Sequence, residues 1–350
     1  MNEVLLVSKP LVPPWTDGSK NLARDLVLYA QSTRFHCLVG PEHPSGSHAW
    51  WRHAVVPPVF DRIYGAESHY APSLAQNARV ALRLARPDAI PTYHFFFAPN
   101  PKTSAIVRTL FTFKRRRLVH TVASEPVGEP TFFADTHLAV SEYTAERLRA
   151  AGARDVHVVH PGLPPLVSVP TPDRARFGLP TGARLVLFAG DLSEGGGAEP
   201  LADAVLATPD TVLVLACRPK GAGRAATEAR LRARLGARGV FLGVVDSMPT
   251  LLASVDVVAM PATSLAGKVD LPLVLLEAMQ LGKPVLVTAG GPLVELGGER
   301  DGVLVVERRD GALAAALARS ISGSGGPARV RDAFSAERMA RAVEAHYSRR

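Results

Sequence analysis

At 350 residues the chain has room for two domains, each able to bury a core of its own, and 47% hydrophobic against 21% charged residues excludes a disordered polymer. No apolar run nears the roughly 20 residues that a membrane-crossing helix needs. A formal charge of +8 favours anionic partners in general, but no zinc-finger spacing or aromatic RNA-binding pattern accompanies it, which sets nucleic acid aside.

In chain order, residues 2–8 read as a strand whose flank is too uncharged and whose apolar stretch is too short for a cleaved leader. The loop that follows holds Asp17 and Gly18 ahead of an amphipathic helix at 21–31. A glycine there lets backbone approach a phosphate and the helix start favours anions, although Asp-Gly is also an ordinary turn. Lys114, Arg115, Arg116 and Arg117 form the one dense basic cluster, read either as a solvated strand entrance or as an anion or membrane-surface patch. The next strand, 118–123, carries His120, and His94, His157 and His160 are weaker candidates of the same kind. A lone histidine in such a strand is as readily structural as functional. Residues 159–173 are crowded with prolines, which block ladder pairing and mark a linker.

Beyond the linker, β-rich runs at 184–190, 211–217, 240–245, 255–262 and 283–289 alternate with helical stretches at 200–207, 226–237, 248–254 and 272–282. That alternation predicts parallel sheets with crossover helices on both faces: an α/β, doubly wound class. The expected division is an N-terminal Rossmann-like domain at 1–160, a linker at 161–172, a second Rossmann-like domain at 173–335 and a C-terminal helix at 336–350 returning to the first. Open α/β sheets bind ligands beyond the carboxyl ends of their strands, so two facing domains imply a cleft lined by those loops. The two cysteines, Cys37 and Cys217, lie far apart in apolar stretches with no close Cys or His spacing suited to a zinc site, which points to a reducing cytoplasmic location.

The densest chemical signal is residues 267–285. A loop enters a helix with Pro272 in its first turn, the helix closes at Gly282, and Pro284 leads into the next strand. Amides of Asp270, Leu271 and Leu273 at the helix start suit a phosphate. Glu277 lies one turn in, on an apolar helix; it either emerges on the solvent side or is partnered, for which ribose hydroxyls are suited.

This segment, LPLVLLEAM followed by GKPV, resembles the signature helix of the family 4 retaining glycosyltransferases with the GT-B fold, in which two glutamates are separated by seven residues. The likeness extends to residues 141–146 and 156–162, to residues 251–261 leading through the strand before the signature helix, and to the final helix. It implies two Rossmann-like domains facing a cleft and a nucleotide diphosphate sugar as donor. It also implies transfer to a hydroxyl acceptor without a metal or other cofactor. Glu277 takes the place of the ribose-binding glutamate. The first glutamate falls on Val269, so a neighbour, Lys268 or Asp270, is expected to take over contact with the donor. The family's basic pair after the first strand of the second domain is missing from residues 190–197, and Arg218 with Lys220 is the expected substitute for stabilising the leaving diphosphate. The resemblance also implies a donor contact at Gly18 and a sugar or acceptor contact at His120, with Glu125 and Glu129 bordering the acceptor and Gly290, Gly291 and Glu295 forming a further loop of the site.

The expected activity is therefore retaining glycosyl transfer, the acceptor being a saccharide, a natural product or a lipid-linked hydroxyl. Peripheral contact with an anionic inner-membrane surface is the additional partner that the basic cluster would serve. A non-catalytic nucleotide-sugar-binding or partner-activating protein is the alternative, motivated by Val269 and the missing basic pair. An epimerase of the same fold is disfavoured for want of paired acids and histidines that could abstract a sugar proton.

Overall fold

The computed structural model describes residues 1–40, 49–64, 73–97, 101–112, 116–126, 128, 130–218, 223–265, 267–320 and 322–347. The chain divides into two compact units. One comprises Met1–Pro164, Ala266–Asp270 and Phe334–Arg350; the other comprises Pro165–Leu265 and Leu271–Ala333.

In the first unit, strands β1 (Asn2–Val7), β2 (Thr33–Val39), β3 (Val59–Arg62), β4 (Thr92–Phe96), β5 (Arg117–Val122), β6 (Thr136–Ala139) and β7 (Val156–Val158) form a seven-stranded sheet in the order β3-β2-β1-β4-β5-β6-β7. Every pairing is parallel. The order reverses between β1 and β4, so the loops beyond Val7 and Phe96 flank the switch point where such sheets take ligands. Helices α1 (Gly18–Tyr29), α2 (Leu74–Ala85), α3 (Pro101–Phe111) and α4 (Glu142–Ala150) follow β1, β3, β4 and β6. Tyr93, Phe95 and Phe111 are central to an apolar cluster in this unit.

In the second unit, β8 (Arg184–Gly190), β9 (Thr211–Cys217), β10 (Gly239–Phe241), β11 (Val257–Met260), β12 (Val285–Thr288) and β13 (Val303–Val306) form a six-stranded sheet in the order β10-β9-β8-β11-β12-β13, again wholly parallel. Its switch point lies between β8 and β11. The crossovers carry α5 (Ala198–Leu206), α6 (Arg224–Leu235), α7 (Met248–Ser254) and α8 (Leu273–Gln280), and α9 (Ala312–Ala318) and α10 (Gly326–Ala333) follow the last strand. All residues of β9, β11 and β12 are buried, as strands covered by helices on both faces must be.

The chain then re-enters the first unit. Ala336 donates its amide to the Leu163 carbonyl at 2.9 Å and Leu163 donates to Phe334 at 2.8 Å. A Cβ on Gly162 would stand 2.4 Å from the Ser335 carbonyl oxygen, so only glycine fits this crossing. The last helix, α11 (Ala336–Glu344), packs on α1, and the Glu344 carboxylate accepts from the amides of Gln31 and Ser32 at 3.0 and 2.8 Å. Tyr347 closes the docking through a 2.6 Å hydrogen bond with His94 Nδ1. The C-terminal return to the first domain is thus as expected from the sequence.

Candidate functional site

In the second unit, α8 follows the loop after β11 and closes before Gly282, which takes a positive φ of 71°. Leu273, Leu275, Leu276, Ala278 and Met279 are buried, whereas Val274, Glu277 and Gln280 form its half-exposed stripe. Glu277 is accordingly neither a core carboxylate nor a fully solvated one. A carboxylate at such a place can accept two hydrogen bonds from neighbouring hydroxyls.

The start of this helix is more restricted than its sequence implies. Asp270 donates its amide to the Ala123 carbonyl at 3.0 Å, and Pro272 has no N–H to offer. The helix start can therefore present at most the amides of Leu271 and Leu273, whose side chains are both buried. The Asp270 carboxylate, expected to face the donor, instead lies inside the first unit at 0% exposure. It accepts from the Ser141 hydroxyl at 2.5 Å and from the Glu125 amide at 3.1 Å. Ser141 also caps α4 by accepting from the Thr144 amide at 3.0 Å, so its hydroxyl serves helix and carboxylate together. Asp270 is a structural tie, and the expectation that it binds donor is corrected. Lys268 is half-buried in the same loop. Val269 packs on Gly18: a Cβ added to that glycine would meet Val269 Cγ2 at 3.2 Å.

The glycine-rich turn after β8 owes its composition to close packing. Gly195 accepts from the Thr263 and Ser264 amides at 2.7 and 3.2 Å, and a Cβ at Gly197 would collide with the Pro261 carbonyl at 2.5 Å. This turn and the end of β11 thereby form one surface at the switch point. Asp191, buried at the head of that turn, receives Nε and Nη2 of Arg218 at 3.2 Å each. Arg218 is thus placed at the carboxyl end of β9 with its plane fixed by a two-point pair, but with its charge already matched. Lys220 and Glu129 lie outside the described residues. Sequence reasoning missed Asp191 as the partner of Arg218; its place directly after a strand-ending glycine was the available signal. It also missed Arg308, exposed beyond β13, which donates to the Gly290 carbonyl at 3.4 Å and so stands over the Gly290–Gly291 turn.

In the first unit, the loop from β1 to α1 is organised around Asp17, which caps α1 through the Lys20 amide and pairs with Lys9 Nζ at 2.6 Å. Burial alone would raise its pKa, yet Lys9, the Ser19 hydroxyl and the Lys20 amide outweigh it and hold the carboxyl down to about 2. Lys20 is buried over the Trp15 ring and donates to the Pro14 carbonyl at 3.1 Å. Its burial lowers the ammonium to about 8, with Asp17 offsetting part of that shift.

His120 is 0% exposed, boxed by Phe97 and Phe133 with centroids 4.7 and 4.8 Å away. Its Nε2 bonds to the Phe97 carbonyl at 2.9 Å, which assigns the proton to Nε2 and leaves Nδ1 as the acceptor. Burial, aided by His137, drives its pKa down to about 3. The expectation of a substrate-facing His120 is corrected: the ring is a neutral core side chain. His94 is likewise interior, between Tyr347 and Thr121. His157 pairs with Asp155 at 2.7 Å and His160 packs on Phe334. Glu125 is engaged by Arg147 Nε at 2.6 Å. Of the basic cluster, Arg116 donates to the Ile90 carbonyl at 2.8 Å and Arg117 to the Thr136 hydroxyl at 3.2 Å, so these two tie the entrance of β5 to its neighbours. Lys114 and Arg115 lie outside the described residues. Among the described residues no group of three or more His, Cys, Asp or Glu side chains is arranged to hold a metal ion.

Residues 183–322, from β8 to beyond α9, match the family model described as "Glycosyl transferases group 1". This stretch of the second unit is thus similar to the group 1 glycosyltransferases. A curated relative, the D-inositol 3-phosphate glycosyltransferase of Mycolicibacterium gilvum (strain PYR-GCK), is 30% identical over 172 residues, a stretch covering 46% of this chain but only 38% of that relative. Solved structures share the GT-B arrangement across nearly the whole chain. The sucrose-phosphate synthase of Thermosynechococcus elongatus superposes with a TM-score of 0.77 at 20% identity, covering 99% of this chain and 98% of its own. Anabaena HepE in complex with UDP and glucose superposes at 0.74 with 18% identity, covering 99% and 100%. The family-matched unit is the one that carries Glu277, Asp191, Arg218 and Arg308.

Proposed function

We propose that the chain is a retaining glycosyltransferase that moves a sugar from a nucleotide diphosphate sugar to an acceptor hydroxyl without a metal ion. The match to group 1 across the unit that holds α8, with Glu277 on the half-exposed stripe of that helix, carries this reading. The Glu277 carboxylate would accept hydrogen bonds from the ribose hydroxyls. As the bond between the anomeric carbon and the phosphate oxygen breaks, negative charge gathers on the diphosphate. Arg218, oriented by Asp191, with Lys220 and the amides of Leu271 and Leu273, would stabilise it. The acceptor hydroxyl attacks the same face of the sugar and passes its proton to the departing phosphate oxygen, which preserves the anomeric configuration. HepE has been seen with UDP-glucose, which makes a UDP-hexose the first donor to test.

The acceptor is a saccharide, a natural product or a lipid-linked alcohol, and the two buried free thiols, Cys37 and Cys217, suit a reducing cytoplasm. No helix among the described residues is long and apolar enough to cross a membrane.

The test is thermal shift in EDTA with UDP-, GDP-, ADP- and dTDP-sugars, followed by transfer assays on wild type and Glu277→Ala. Selective stabilisation that Glu277→Ala removes supports the reading; no response to any donor, or undiminished transfer by the variant, refutes it. Val269 in place of an acid, together with the charge-matched Arg218, favours a second reading as a non-catalytic donor-binding protein. That reading is supported if the donor binds but neither hydrolysis nor transfer to any acceptor in a broad panel is detected.

A further inference from the structure

All three tryptophans of the chain fall in one patch of the first unit. Trp15 lies in the loop that leaves the carboxyl end of β1, and Trp50 and Trp51 open a short helical turn between β2 and β3, Trp50–His53, that packs beside α1. Phe60 stands on β3, the edge strand of the sheet. The four rings meet edge to face in a row. Trp15 lies 5.9 Å from Trp50 between centroids, Trp50 lies 6.3 Å from Phe60 and Phe60 lies 5.9 Å from Trp51, with interplanar angles of 84°, 88° and 64°. That geometry suits the quadrupoles of neighbouring rings and fixes each ring plane. Lys20 and Arg24 lie over the Trp15 ring at 5.2 and 4.9 Å, and Trp50 Nε1 donates to the Leu11 carbonyl at 3.1 Å, so two of the rings are anchored from within. All four side chains are nonetheless half-exposed. A row of large rings held in fixed planes at the surface is ready to be covered by a ligand at little cost in side-chain entropy.

The charge along the row is positive. Arg52 and His53 follow Trp51 and are exposed, and the exposed Arg62 lies two residues beyond Phe60 on the same face of β3. The acids of these segments, Asp17 ahead of α1, Asp25 on α1 and Asp61 on β3, are already engaged by Lys9, Arg24 and Arg83. An indole face receives the C–H groups of a pyranose ring, and a guanidinium donates two parallel N–H groups to a carboxylate. One stacked ring would serve a small acceptor. A row of four, bordered by outward guanidinium groups, fits a chain in which sugar rings repeat and carboxylates recur. Because Trp15 sits in the loop after β1, the row begins beside the switch point of this sheet.

We propose that the row formed by Trp15, Trp50, Phe60 and Trp51 binds an extended acidic saccharide, which makes the acceptor a sugar chain with charged residues behind the hydroxyl that reacts. Its role as acceptor rests on the glycosyl-transfer reading; the binding itself requires no donor.

The experiment is titration of the full chain with a hyaluronan octasaccharide and with an oligogalacturonate, read by calorimetry and by tryptophan emission, with maltooctaose and free glucuronate as controls. Since every tryptophan lies in the patch, its occupation changes their emission. The expected result is binding of an acidic oligosaccharide with a shift in emission, weakened by salt, and about tenfold or more weaker for maltooctaose and for glucuronate. Trp51→Leu should reduce that binding by about tenfold, and Trp51→Phe, which keeps an aromatic face, should retain most of it. Arg52→Gln with Arg62→Gln should also reduce it by about tenfold and flatten the salt dependence. Both arginines are exposed, so an unchanged circular dichroism spectrum and melting midpoint are expected for that variant and would show that the loss is not unfolding. No binding of either acidic oligosaccharide overturns the proposal, as does binding without a change in emission or full binding by Trp51→Leu. Self-association abolished by Trp51→Leu, without saccharide binding, also overturns it and assigns the patch to a second copy of the chain. Glu277→Ala should leave the saccharide titration unchanged and Trp51→Leu should leave the donor-induced thermal shift unchanged, so the two readings fail separately.

Discussion

Acid should loosen the first unit through its interior histidines. His94 and His120 are both fully buried, and burial holds each at about 3, against 6.5 for an ordinary imidazole. The folded state therefore refuses a proton that the unfolded chain accepts, and stability must fall as pH drops below 6.5 and go on falling until about 3. Near pH 5 the linkage amounts to about one and a half pH units for each ring, or roughly 2 kcal/mol each and roughly 4 kcal/mol for the pair. That is a large share of the 5–15 kcal/mol or so typical of a domain. All three tryptophans, Trp15, Trp50 and Trp51, belong to the first unit, so their fluorescence reports its unfolding separately from the second. Urea titrations of wild type and His120→Leu, at a series of pH values between about 7 and 5, give the comparison. Leucine suits the aromatic box but forfeits the bond to the Phe97 carbonyl, so the offset between the two proteins at neutral pH is uninformative and the slope is what counts. Wild type should lose roughly 4 kcal/mol over that range and the variant about half as much. The buried Asp25, whose pKa is raised chiefly by burial, works in the opposite direction but equally in both proteins. Identical slopes in the two proteins would refute the assignment of His120 as a neutral core residue.

In the second unit, Glu277→Ala should weaken donor binding by roughly 10- to 100-fold, read by calorimetry with a UDP-sugar, while leaving the melting midpoint nearly unchanged because the side chain is half-exposed. Arg218→Ala should cost about 2–3 kcal/mol of stability by leaving the buried Asp191 unpaired, and Asp191→Asn in the same chain should recover part of it; a double-mutant cycle with no coupling would argue against the pair. Asp270→Ala should destabilise the first unit by about 1–3 kcal/mol, since the Glu125 amide and the Ser141 hydroxyl lose their acceptor, whereas a merely donor-facing aspartate would leave tryptophan-detected unfolding unchanged. Gly162→Ala should be strongly destabilising, because the new Cβ would stand 2.4 Å from the Ser335 oxygen; circular dichroism melting would register it.

The sequence disclosed what depends on period and punctuation. The β and α alternation fixes two wound sheets because strands buried on both faces read as unbroken apolar runs, as β9 and β12 do. The signature helix was legible for a related reason: Pro272, Gly282 and Pro284 bound it locally, and LPLVLLEAM is specific. Partnership across long separations was not legible. Nothing in the string places Asp270 against Ser141, 129 residues away, or Arg218 against Asp191, 27 residues away. A charged residue beside a signature helix reads equally well as a ligand contact and as a tie into the scaffold, and only the hydrogen-bond partners decide between them.

The same limit left His120 readable as structural or functional and hid which side of α2 the core takes. Periodicity reports that a helix has two unlike sides but not which one the core takes; in α2 the inward side sets Val80 and Leu84 on the apolar core together with Arg83, which Asp61 and Asp88 supply with two inward partners. Replacing Arg83 by methionine should accordingly test the cause: with the inward pairs gone and Asp61 and Asp88 left uncompensated, the first unit should lose about 3–5 kcal/mol, and a loss below about 1 kcal/mol in the tryptophan-detected urea transition would mean that something other than these pairs sets the orientation of the helix.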